Sequence, residues 1–102
     1  VKTFQQLSQN QKEEAIKTAY AVIRDGITSG VMEVTLIDAE NQKRLEKILK
    51  HAINPRMANL MISHALGICK ELERLALVVA TDIYTYTDDG QVIEESKNAN
   101  AI

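Results

Sequence analysis

The chain has 102 residues, 45% of them hydrophobic and 25% charged, with a single cysteine. This length suits one domain, the apolar share excludes wholesale disorder, and one cysteine excludes an internal disulfide framework or a multi-cysteine zinc site. A net charge of −2 argues against whole-domain attraction to nucleic acid. No run reaches the ~18 apolar residues of a membrane span, so a soluble cytoplasmic protein is expected.

The pattern predicts an all-α domain of three helices, at about 9–29, 39–53 and 55–84, within a single unit covering 1–95 and followed by a frayed tail at 96–102. Ser8 and Gln11 form a capping box ahead of the first helix. Ala15, Ile16, Ala19, Val22, Ile23 and Ile27 then recur at spacings of three and four, and Gly30 offers a stop. Residues 31–37 alternate like a short strand, but a lone strand needs a partner. An extended connector pinned by Val31, Val34 and Leu36 is preferred. Asp38 is the next N-cap, before the stripe Leu45, Ile48, Leu49, Ala52 and Ile53. Lys43, Arg44, Lys47 and Lys50 lie across from that stripe, and Lys50 and His51 suit the negative helix end.

Asn54-Pro55 closes the second helix and opens the third, because proline at the first helical position gives up no needed hydrogen bond. From Met57 to Val79 apolar residues run at helical spacing, and Leu77, Val78 and Ala80 widen the stripe until it is apolar nearly all round. At ~1.5 Å per residue such a helix would be about 45 Å long, so it either protrudes into an oligomer or breaks. Helix is expected to about Tyr84, with a turn at 87–90 and a tail docked through Val92 and Ile93. A hairpin over 83–94 is the alternative, lacking a sheet to join.

Candidates for chemistry are few. His64 sits near the apolar stripe and reads as a packed or interface histidine, and His51 as a helix-end cation. Cys69 reads as buried filler. No metal-binding spacing, phosphate loop or nucleophile motif occurs, so neither a catalytic residue nor a metal or cofactor is expected. Charge is unevenly spread. Residues 57–102 carry three bases against seven acids, and Asp82, Asp88, Asp89, Glu94 and Glu95 have no Lys or Arg among them between 82 and 95. Such a segment could meet a basic surface on a partner protein, as a mimic of nucleic-acid charge. The basic face of the second helix is the alternative, a nucleic-acid contact without aromatic residues to stack bases. A further alternative is a small-ligand or nucleotide module, with Tyr20, Tyr84 or Tyr86 lining a pocket between subunits.

The apolar surplus of the third helix is the most informative feature. Leu72, Leu75, Leu77, Val78, Val79 and Ile83 exceed what a small three-helix body can cover, and a second copy, most simply a two-fold dimer, would hide them. The opening Lys2–Lys12, with Ala15, Ala19, Ile23, Ile27 and Gly30, resembles the start of small uncharacterised helical proteins of bacteriophage and mobile-element type. The likeness covers the first third of the chain. It implies a stoichiometric binder, such as an inhibitor of a bacterial defence system, rather than a catalyst. The expected function is thus a non-enzymatic, self-associating protein that docks on a partner protein.

Overall fold

The structure, a computed structural model, describes residues 1–32, 38–67 and 71–93, with only the backbone of Glu71. The described residues are helical and contain no strand. A short 3-10 turn at Phe4–Gln6 leads into α1 (Gln9–Thr28), α2 (Ala39–His51), α3 (Pro55–Leu66) and α4 (Glu71–Val78), which continues as a π turn over Val79–Ile83.

α1, α2 and α3 each begin where the capping chemistry says. The Ser8 hydroxyl accepts from the Gln11 amide at 3.2 Å while the Gln11 side chain accepts from the Ser8 amide at 2.9 Å. Asp38 accepts from Asn41 N–H at 2.9 Å, and Asn54 from Met57 N–H at 2.8 Å with Pro55 next in line. These contacts satisfy amides that a helix leaves without an internal partner.

The third expected helix is wrong in length. It ends at Leu66, where Gly67 turns to a left-handed φ of 69° and its amide bonds to Ser63 O at 3.0 Å. Only glycine takes that conformation at little steric cost, so the apolar run folds back instead of continuing for a further five turns. Among the described residues there are therefore four α-helices rather than three, and no long apolar third helix. The second helix is also shorter than expected. Ala52 is extended and serves as its C-cap, leaving Ile53 outside and exposed. Val31 is exposed and does not pin a connector to the core. Residues 33–37, 68–70 and 94–102 lie outside the described part, and with them Val34, Leu36, Cys69, Glu94, Glu95 and the tail.

The helices form a four-cornered bundle. α1 packs on α2 and α4, α3 also packs on α2 and α4, and α2 and α4 stand on opposite corners. Ala15, Ala19, Ala58, Ala76 and Ala80 are all buried at the contacts. Their small side chains let helix axes approach, while Tyr20, Leu49 and Tyr86 fill the larger spaces.

Tyr20 links two helices chemically. Its hydroxyl lies 2.7 Å from Ala52 O and 3.2 Å from Leu49 O, so a side chain of α1 caps carbonyls that the end of α2 leaves without amide partners. Tyr20→Phe keeps the ring and strands a buried carbonyl. A loss of about 1–3 kcal/mol is expected, seen as a melting temperature lower by roughly 5–20 °C. An unchanged melt would remove the hydroxyl from any role in joining α1 to α2.

After the π turn the chain runs through a second junction centred on Tyr86. Its backbone exchanges two hydrogen bonds with Lys2, Lys2 N–H to Tyr86 O at 2.7 Å and Tyr86 N–H to Lys2 O at 2.9 Å. On its other side Tyr86 bridges to Val92. The intervening turn at 87–90 is as expected. Gly90 N–H bonds to Thr87 O at 2.9 Å and Thr87 N–H to Gln91 O at 2.8 Å. Gly90 has a φ of 88°, and a Cβ there would come within 2.9 Å of Gln11 Cγ. Val92 packs against the core, as a docked tail requires. The hairpin-like pairing finds its missing neighbour in the N-terminal arm, a partner far away in sequence.

Candidate functional site

α4 and the π turn carry the most distinctive surface. Ala76 and Ala80 face inward and are fully buried, with Leu72 and Val79 packed partly against the core beside them. Leu72 and Val79, expected on the association face, are therefore core-side residues and contribute at most an edge. Leu75 (41% exposed), Leu77 (42%), Val78 (41%) and Ile83 (43%) instead present large aliphatic surface to solvent. Spacing of four gives three rows, Glu73–Leu77–Thr81, Arg74–Val78–Asp82 and Leu75–Val79–Ile83, the last bordering the core through Val79. On α3, which packs against α4, Met57 and Leu60 are exposed as well.

Specific polar contacts hold this corner. Tyr84 N–H bonds to Val79 O at 3.1 Å, the five-residue step that defines a π turn. The Tyr86 hydroxyl donates to Ala80 O at 2.5 Å, and the Thr81 hydroxyl bonds to Leu77 O at 2.9 Å. The wider turn is thus secured by side chains on both sides. Between α3 and α4, the Asn59 amide donates to Glu73 Oε2 at 3.2 Å. Asn59 is 6% exposed, and its Oδ1 has no partner among the described residues.

The acidic candidates are placed on successive features. Asp82 is exposed on the π turn, and Asp88 and Asp89 are exposed at the tip of the following turn. The Thr87 hydroxyl lies 2.7 Å from Asp89 Oδ1 and holds that carboxyl below its usual range, aided by a backbone hydrogen bond. Among the described residues no base pairs with Asp82 or Asp89.

Lys43, Arg44, Lys47 and Lys50 are all exposed along α2, without an ion pair among the described residues. They occupy the corner opposite α4. Glu46, four residues before Lys50, makes no ion pair with it.

Two further expectations are corrected. His64 is exposed in the last turn of α3 and so is not packed within the chain, because the stripe it was read into breaks at Gly67; the interface half of that expectation is not affected. Tyr20, Tyr84 and Tyr86 are buried within one chain and so do not line a pocket between subunits. The hydroxyls of Tyr20 and Tyr86 are, moreover, occupied by backbone carbonyls. A shallow groove of about 220 Å³ lies between α1 and the turn, lined by Glu14, Ala15, Thr18, Gly90, Gln91 and Val92. Among the described residues that line it, Glu14 is the only ionisable one. Among the described residues no group of three His, Cys, Asp or Glu could hold a metal ion, and no helix is long and apolar enough to cross a membrane. Comparison with known proteins finds no matching family, no matching curated protein and no matching solved structure.

Proposed function

We propose that this protein is a non-enzymatic docking protein that self-associates as a two-fold dimer through the outer face of α4 and acts by binding a partner protein. The observation that carries the reading is the exposure of Leu75, Leu77, Val78 and Ile83 on one short helical segment. Fully burying an aliphatic side chain contributes ~1.5–3 kcal/mol, so the exposed two-fifths of each represents about 0.6–1.2 kcal/mol. Over two copies the gross gain is about 5–10 kcal/mol, comparable with the freedom lost on association. The dimer is therefore reversible and concentration-dependent.

For the partner, the reading assigns Asp82, Asp88, Asp89, Glu94 and Glu95 as the contact to basic groups. The phage-type resemblance of the first third supports a stoichiometric binder, in the form of an inhibitor of a host defence system. Sedimentation from low to high micromolar concentration tests the self-association. The mass should climb from 11.4 kDa toward that of two chains. A constant single-chain mass at high micromolar concentration would sink the proposal.

A further inference from the structure

Resting on that self-association reading, we infer that the second copy lies antiparallel on α4, centred on Val78, with Arg74 of each copy facing Asp82 of the other. The middle of the three rows carries the pattern. Arg74, Val78 and Asp82 are spaced four residues apart, and all three are exposed. The row thus reads cation, aliphatic, anion along the outside of α4 and the π turn. Leu75 and Leu77 flank its aliphatic centre, each more than two-fifths exposed.

A two-fold axis maps one patch onto itself, so only a self-complementary pattern closes. With the axis at Val78 and the helices antiparallel, residue 74 falls opposite residue 82, and each dimer gains two Arg–Asp pairs flanking an apolar centre. A parallel arrangement at the same position would set Arg74 against Arg74 and Asp82 against Asp82, four like charges in place of two attractive pairs. Charge thus selects the orientation while the aliphatic centre supplies the area. Arg74 also has an interaction inside its own chain, and its side chain is exposed. Asp82 meets no base among the described residues, so pairing across the axis gives it one and leaves the partner-protein contact to Asp88, Asp89, Glu94 and Glu95.

The test is a charge exchange followed by sedimentation equilibrium, with circular dichroism confirming that each variant folds. Arg74→Glu alone places Glu opposite Asp82, and Asp82→Lys alone places Lys opposite Arg74. Each variant by itself should dimerise about tenfold more weakly than wild type, or worse. Mixed one to one, the two restore both attractive pairs, and dimers should reappear at near wild-type strength. So should those of the double variant R74E/D82K, which reverses the pattern within one chain. If wild type dimerises and neither single variant weakens it, the antiparallel register is overturned while self-association stands. If the single variants weaken it but neither the mixture nor the double variant recovers, the Arg74–Asp82 pairing is overturned. A wild-type chain that stays monomeric removes the self-association reading itself, and a foreign protein becomes the occupant of this face.

Discussion

Tyr86→Ala is expected to remove about 4–6 kcal/mol of stability, most of what a chain of this length possesses. Three attachments meet at this residue. Its ring is fully buried and lies 6.5 Å from the Phe4 ring, its hydroxyl holds Ala80 O, and its backbone pairs with Lys2. Alanine keeps only the backbone pairing, leaves a ring-sized void and abandons a carbonyl in the π turn. Circular dichroism should show a melt shifted down by at least 20 °C, or no folded baseline at 37 °C. A melt within a few degrees of wild type would show that the junction carries little of the fold.

The same hydroxyl gives the fold an alkaline limit. Burial, with the neighbouring Tyr84 adding to it, pushes the Tyr86 pKa up to about 12 from an ordinary 10.0. Between these values the unfolded chain has released the proton while the folded chain retains it. The unfolded state therefore binds fewer protons, and stability must fall as pH rises. The contribution is complete below about pH 10 and is lost progressively toward pH 12. Burial also raises Tyr20 and Tyr84, which steepens the decline. In Tyr86→Phe the fall across this window should be shallower than in wild type.

Val78→Glu is expected to leave the chain folded and weaken its self-association by a hundredfold or more. The side chain is 41% exposed, so a carboxylate there can reach water in the single chain. At a two-fold contact centred on the helix it would bring two carboxylates together on the axis, stripped of water and without a base. Val22→Glu, on the exposed side of α1, provides the control, because that valine is 45% exposed and outside the proposed contact. The measurement is the dimer dissociation constant of each variant. Equal constants for wild type and Val78→Glu would place the contact elsewhere on the surface.

Helix starts were readable because they are written in local chemistry. Ser8 with Gln11, Asp38, and Asn54 with Pro55 each satisfy amides three residues away, within reach of a short stretch of sequence. The break at Gly67 was not readable in that way. A glycine inside a periodic run costs only about 1 kcal/mol in a continuing helix, and apolar spacing persists on both sides of it. What decides the matter is the return of α4 against α1, a contact between distant parts of the chain. Errors at the candidate face follow from this. Leu72 and Val79 looked available and His64 looked packed because all were projected onto one unbroken rod. In the shorter α4, Ala76 and Ala80 define the inner side, and Leu75, Leu77, Val78 and Ile83 are left outside. The π turn was equally hidden, since Val79–Ile83 has ordinary helical composition and its widening depends on a tyrosine hydroxyl arriving from beyond.

The pairing of Lys2 with Tyr86 joins positions 84 residues apart. If that closure came first, it would cost roughly 4 kcal/mol in chain entropy before any packing repaid it. After the four helices have assembled, the two segments already lie side by side and the remaining loss is small. On that order the arm is fastened late in folding, as a latch. Amide exchange should reach the Lys2 N–H long before that of Leu49, although both donate to the backbone of one small body.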